Sequence, residues 1–475
     1  MVEKYMKIFS CVVFLYTLCQ NAFAKTDSNN VMPSDVLVII RNMHFERSIL
    51  KAQKIKDSIM QAANALDKTG MEVLMMHEDW FQYGSWTILP IINRIHKKYG
   101  SSKKWIYFCE DTTQVDLKGL LKVLGRFQEG KNWFLGHGLH DSEPSIIHHF
   151  AFHNDLKSFK FPDFDAGWAL SMPLVNELKE RLESNPPDYG FSIDVKHEVA
   201  KFIYNDGKGT RLTNVPQFCI NSALKKDHCV STVAKEIPDC GLVDENEIFI
   251  AVKTCKKFHD ERVPVVKKTV GKHAKHIRYY SDVADESIPT EYIDVGNTER
   301  GHCQKLHNII KRSTDEEWRD KEWLVVIDDD TIMSYDRLRR HLACYESKKP
   351  VLLGERYAYA LNFRKAGYEY PTGGGGMIMN RAAINELIKS GCKCYKADEP
   401  DDMWLGNCFN RMQIPMVHSN SLHQARPSQY TKEFLSHRFL VSFHKHHMVD
   451  PMQVYQDYLQ AGGEDPNVQS EKEEL

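Results

Sequence analysis

Three consecutive carboxylates, Asp328, Asp329 and Asp330, close the stretch WLVVIDDDT at 323–331. Adjacent like charges repel one another and are costly to remove from water without a counter-charge. A divalent cation is the simplest counter-charge, and hard oxygen ligands suit Mg²⁺ or Mn²⁺. Three further features follow in order. GGGG at 373–376 permits a close backbone approach that a Cβ would block. EPDD at 399–402 sets two acids before a helical pattern; one serves the helix N-terminus and the other is free to act as a general base. His423, in SLHQ, is a candidate metal ligand. Each feature has an ordinary alternative: a solvated acidic turn, a plain loop, helix capping, or one structural histidine among 22. The ordered set arises by chance far less often than any member.

The elements that position these residues are those of an α/β fold. The apolar run 324–327 reads as a buried strand, and the carboxylates stand at its C-terminal end, where open α/β sheets bind ligands. The chain carries this plan twice. Residues 35–41 and 247–253 read as opening strands, each followed by a helical pattern. WIYFCEDTT at 105–113 echoes WLVVIDDDT at 323–331. A strand ending in Leu-Gly follows in both copies, then an aromatic-Pro segment leading to glycine, then a helix. The first copy lacks the chemistry: it has Glu110-Asp111-Thr112 for the three aspartates, Gly167 alone for the four glycines, and Phe218 or Cys219 where the second has His423. It keeps an acid, Asp194, at the place of Asp402. Residues 34–225 are therefore expected to form a non-catalytic domain, a dock for a folded acceptor, and residues 245–455 the working one.

Composition is that of an ordinary globular chain, 42% hydrophobic and 27% charged, and a net charge of −2 gives no field for nucleic acid. Lys4 and Lys7 precede an apolar run ending near Cys19, and Ala22-Phe23-Ala24 offers a cleavage site, so residues 1–24 read as a signal peptide. The run is short for a bilayer span and no other stretch is long enough, so no membrane span is expected after cleavage. Residues 461–475 form an acidic tail, and its last four, Lys472-Glu473-Glu474-Leu475, resemble an endoplasmic-reticulum retrieval signal. A protein retained in the lumen of that compartment is expected. There the ten remaining cysteines should form disulfides, with a local bridge among Cys219, Cys229 and Cys240, and with Cys392 and Cys394 each paired elsewhere. None has zinc spacing.

The set of motifs resembles the fringe-like β-1,3-glycosyltransferases. The residues that carry the resemblance are IFIAVKTC with Phe258 and Arg262, YYSD at 279–282, GHCQKL from Gly301, WLVVIDDD, GGGGMIM and EPDDMWLG, with HQARP and SFHKH beyond them. It implies two tandem GT-A-like (Rossmann-like) domains, the first degenerate. By position it implies a nucleotide near Thr254, Arg262 and Asp282, and a diphosphate or sugar near Lys305. Asp328, Asp329, Gly374, Gly375 and Asp401 would complete the substrate contacts. Asp328, Asp330 and His423 would hold Mn²⁺, and Asp402 would be the catalytic base. The branch of the family similar over the whole chain implies inverting transfer of glucose from UDP-glucose, in β-1,3 linkage, to O-linked fucose on thrombospondin type 1 repeats. UDP-GlcNAc or UDP-galactose as donor, and a non-catalytic luminal glycan-binding protein, are the competing expectations.

Overall fold

The structure is a computed structural model and describes residues 30–460, apart from 68–69, 81–83, 188–189, 221–227, 234–236, 299–300, 347 and 362–366. The expected signal peptide and retrieval signal lie outside the described residues. Two mixed sheets carry the fold. The first runs Leu212–Asn214, Phe134–Gly136, Trp168–Ser171, Trp105–Glu110, Val36–Arg41, Glu72–Met75. The second runs Val417–His418, Leu352–Gly354, Met377–Asn380, Trp323–Asp328, Ile248–Lys253, Ile277–Ser281, with Thr290–Tyr292 added at its edge. The two orders coincide strand for strand. Even the central register repeats: Val36 faces Trp105 and Arg41 faces Glu110, as Ile248 faces Trp323 and Lys253 faces Asp328.

The central strands are apolar throughout because both faces are covered. Phe249, Ala251, Leu324 and Val326 enter one core cluster, while Ile248, Ile250, Val252, Val325 and Ile327 enter the other. Alternation along a strand makes that division. The 21-residue helix Glu46–Leu66 buries Ser48, Ala52, Ile59 and Ala63, a stripe at helical spacing. The helical pattern expected over 263–270 is two short helices, Val263–Lys268 and Val270–His273, broken at Thr269.

The halves are joined by more than their linker. Phe191–Ser192 of the first pairs antiparallel with Arg356–Tyr359 of the second, which pairs in turn with Tyr368–Pro371. The Trp86 indole donates to Glu369 Oε1 at 2.7 Å, and the linker itself is tied to the second half by the Cys240–Cys344 disulfide. The local bridge expected among Cys219, Cys229 and Cys240 is Cys219–Cys229. Cys392 and Cys394 do pair elsewhere, with Cys408 and Cys303. Cys109 and Cys255 are buried free thiols. No helix among the described residues is long and apolar enough to cross a membrane.

Candidate active site

Parallel pairing of Ile248–Lys253 with Trp323–Asp328 brings two strand ends together, and with them Lys253 and Asp328. The Lys253 ammonium, itself buried, lies 2.8 Å from Asp328 Oδ1 and also binds Asp401 Oδ2. One cation thus joins the aspartate run to the EPDD segment, Asp401 lying 73 residues beyond Asp328 in the chain. Burial disfavours the charged amine, but the two carboxylates override it and hold the lysine above its ordinary pKa. Sequence reasoning quoted this lysine within its strand but gave it no role. The signal was available: both copies end the opening strand in a cation, Arg41 and Lys253.

Asp329 turns the other way. Its Oδ2 accepts from Thr254 Oγ1 at 2.8 Å and its Oδ1 from Arg262 Nη1 at 3.0 Å. Arg262 also lies 2.9 Å from Asp330 Oδ2, with its guanidinium 3.6 Å from the centre of the Phe258 ring. Burial pushes Asp329 up to about 6, against these donors. Lys305 is buried, donates to the Thr254 carbonyl at 2.7 Å, and has its pKa lowered by that burial. Asp282 accepts from the Lys256 backbone N–H at 2.9 Å and so braces the same loop. Hydrogen bonds around the 254–256 loop thus bring Thr254, Arg262, Asp282, Lys305 and Asp329 together.

Asp328 and Asp330 meet a histidine, and it is not the one expected. Ligand atoms of Asp328, Asp330 and His444 all lie within 4.8 Å of one another. His444 comes from the strand Ser442–His444, which pairs with Thr331–Met333 so that His444 faces Thr331. Its Nδ1 is 3.0 Å from the Gln424 carbonyl and its Nε2 is 3.0 Å from Asp330 Oδ1. A carbonyl only accepts, so Nδ1 carries the proton. A neutral ring then aims its Nε2 lone pair at a carboxylate, a contact that only a second proton or a shared cation makes favourable. Two hard oxygens and an imidazole oriented by a backbone carbonyl fit a divalent cation such as Mn²⁺. A doubly protonated His444 donating to it, with the Arg262 guanidinium 2.9 Å away, holds Asp330 down to about 2 despite its burial.

His423 does not join this group. Its ring stacks on Phe443 at 4.8 Å and meets Tyr430 edge-on at 4.9 Å, and its Nδ1 bonds the Ser442 carbonyl. It lines a cavity between the halves, and its burial lowers its pKa to about 3. The expectation that His423 is the ligand gives way to His444 for a plain reason: the His423 ring is packed against Tyr430 and Phe443, and residue spacing alone does not reveal that the strand Ser442–His444 crosses the aspartates.

Within the glycine run, Gly374 is the position where a side chain cannot fit. A Cβ on Gly374 would come within 2.2 Å of His444 Nδ1. The N–H groups of Gly374 and Gly375 both point at Gln424 Oε1, at 2.8 and 3.2 Å, so a side chain rather than free space receives them. The Gly374 carbonyl accepts from Thr331 Oγ1 at 2.9 Å.

Asp401 and Asp402 open the helix Asp401–Arg411 rather than precede it. Two disulfides, Cys303–Cys394 and Cys392–Cys408, clamp the segment before it. The helix lies hard against the strand Tyr368–Pro371, where a Cβ on Gly406 would meet the Glu369 carbonyl at 2.3 Å. Asp402 Oδ1 accepts from the Met403 N–H at 2.7 Å. Burial, then the neighbouring Asp401 charge, push Asp402 up to about 7. Asp401 is also buried, but Lys253 reverses that effect and keeps it below its ordinary value. Two adjacent acids are thus set apart: one is a fixed anion paired with lysine, and the other is poised to exchange a proton near neutrality.

A Fringe-like family model matches residues 243–467, the half that holds this site. Over 436 residues the chain is 45% identical to the Beta-1,3-glucosyltransferase of Mus musculus, a match covering 92% of this chain and 88% of that protein. The Homo sapiens Beta-1,3-glucosyltransferase is 44% identical over 438 residues, covering 92% and 87%. The Beta-1,3-N-acetylglucosaminyltransferase lunatic fringe of Xenopus laevis is 24% identical over 207 residues, covering 38% and 54%. Similarity to the glucosyltransferases runs through both halves, and the chain belongs to the beta-1,3-glucosyltransferase family of Fringe-like glycosyltransferases.

Proposed function

We propose that this protein transfers glucose from UDP-glucose to the 3-hydroxyl of O-linked fucose on thrombospondin type 1 repeats, in the lumen of the endoplasmic reticulum. The observation that carries the reading is Asp402: an acid near neutral pKa beside a paired Asp401 and a convergent Asp328, Asp330 and His444. The full-length similarity to beta-1,3-glucosyltransferases supports the donor. The signal-like N-terminus and Lys472-Glu473-Glu474-Leu475 support the compartment.

A β-linkage made from an α-linked UDP-sugar inverts the anomeric centre, so a single in-line displacement suffices. The Asp402 carboxylate takes the proton from the fucose 3-hydroxyl as that oxygen attacks the anomeric carbon. Asp328, Asp330 and His444 would hold Mn²⁺, which when bound supplies Lewis-acid stabilisation to the departing diphosphate. Lys253 fixes Asp328 and Asp401 against each other and so sets the distance between the acceptor side and the donor side. Arg262, Thr254 and Asp329 line the nucleotide side, with Asp282 and Lys305 behind them. Holding both substrates in this register contributes much of the remaining acceleration.

The test is a transfer assay. Purified residues 25–475 receive a fucosylated thrombospondin repeat with UDP-glucose, UDP-galactose or UDP-GlcNAc, with Mn²⁺ or with EDTA. Metal-dependent transfer from UDP-glucose alone is expected. Transfer from another donor would overturn the substrate, and none from any donor would overturn the enzyme.

A further inference from the structure

The first half also opens a cleft at the end of its sheet, and the second half closes over it. The resulting cavity of about 1320 Å³ is lined by residues of both halves. Counterpart positions say what the cleft has lost, given the reading of the second half as the transferring one. Thr112 stands for Asp330. Val233 faces Thr113 as His444 faces Thr331, so the histidine ligand is gone as well. Asp165 stands for Gly374: each has its carbonyl bound by the equivalent threonine hydroxyl, Thr113 or Thr331. The Asp165 carboxylate, 3% exposed as a residue, projects into the space the histidine fills in the other copy and binds Arg438 of the second half. A carboxylate and a guanidinium thus fill the place a metal and diphosphate would need.

The cavity that remains suits a different ligand. Its six lysines and arginines are already matched: Arg41 lies 2.5 Å from Glu110, Arg47 2.8 Å from Asp239, Lys196 3.5 Å from Asp194, Lys349 3.0 Å from Glu346 and Arg356 3.6 Å from Glu369, and Arg438 is on Asp165. Glu355 adds a further carboxylate to the wall, so no excess positive charge is left to draw a phosphate. Of the rings in the lining, Phe164 is taken up by the Arg41 guanidinium and by stacking on Trp168, and Arg356 covers one face of Trp86; Tyr357 and Tyr430 complete the aromatic lining. Aromatic faces for C–H surfaces, with fixed donors and acceptors between them, are what an uncharged, hydroxyl-rich ligand requires. The volume exceeds the roughly 300–1,000 Å³ of common small-ligand sites and leaves room for one or two sugar rings with water. We propose that this interdomain cavity binds a neutral sugar and does not transfer it.

Hydrogen exchange read by mass spectrometry tests this on residues 25–475, with no donor present. The chain is titrated separately with methyl β-glucoside, methyl α-mannoside, methyl α-fucoside and UDP. At least one glycoside is expected to slow exchange several-fold in peptides covering 41–47, 110–112 and 355–357, while those covering 328–330 and 401–403 stay unchanged. Tyr357→Ala should weaken that protection about tenfold, a loss consistent with an aromatic contact in a desolvated site. Absence of protection with all three glycosides overturns the proposal, as does protection confined to 328–330 and 401–403, or equal protection by UDP. The outcome is independent of the transfer assay: protection of the cavity in a chain that transfers nothing would keep this site and remove the enzymatic reading.

Discussion

The division of labour between Asp401 and Asp402 is set by one lysine. Lys253 holds Asp401 ionised, and that charge, together with burial, pushes Asp402 up to about 7. A general base works only when deprotonated, so kcat/KM should rise as pH increases through about 7 and level off above it. In Asp401→Asn the repelling charge is gone and Lys253 is freed toward Asp402. Both changes favour the ionised base, so the acid limb of the pH–rate profile should move to lower pH. Asp402→Asn should lower kcat by about 10²–10⁴, the range of general-base catalysis, with KM for the UDP-sugar little changed. The histidines separate in the same way. His444→Ala should raise the Mn²⁺ concentration needed for half-maximal rate by ten-fold or more, whereas His423→Ala should leave that requirement alone; a Mn²⁺ titration of initial rates distinguishes them. This is also where sequence reading stopped short. The acids were legible because DDD and EPDD are dense and ordered. His444 was not, because a histidine's claim to a site depends on which strand it crosses, and SFHKH offers several histidines within a few residues.

Strands and helices were legible in proportion to how local their cause is. The apolar runs 248–252 and 324–327 are buried on both faces and read as strands without ambiguity. The duplication was visible as repeated order, and the coincident strand order of the two sheets is its structural counterpart. The break at Thr269 and the start of the helix Asp401–Arg411 at Asp401 itself were not visible, since helix ends depend on what caps and packs them. At this scale the glycine run makes a sharp claim. In Gly374→Ala the new methyl meets the His444 ring, so either the loop or the ring must shift. Stability should fall by about 1–3 kcal/mol, the usual cost of overpacking. Mn²⁺ affinity should fall with it, because the displaced group is the ring that completes the cluster. Thermal melts with and without Mn²⁺ measure both.

The molecule as a whole is two copies locked together. The Cys240–Cys344 bridge closes a loop of 104 residues and joins the linker to the second half. Cys344→Ser, paired with Cys240→Ser, should cost about 2–4 kcal/mol of stability, seen as a lower melting temperature in non-reducing buffer. Excising residues 34–225 would strip Arg356–Tyr359 of its partner strand Phe191–Ser192 and leave Arg438 without Asp165. Loss of activity in such a truncation would therefore report folding before it reported docking of an acceptor, and point changes within the full chain are the informative ones.

That arrangement of copies has a consequence in symmetry. Two like units can meet face to face, each giving the other the same patch, or head to tail, with different patches in contact. Here the first unit presents its cleft (Arg41, Glu110, Asp165, Asp194), and the second presents Glu355, Arg356 and Arg438 from elsewhere on its surface. The contact is head to tail. A two-fold pairing would have buried both clefts or neither. The head-to-tail one covers the first unit's cleft and leaves the Lys253, Asp328 and Asp402 cleft outside the contact. Broken symmetry, fixed within one chain, is what allows a duplicated fold to enclose one unit's strand ends between its halves and leave the other's outside the contact.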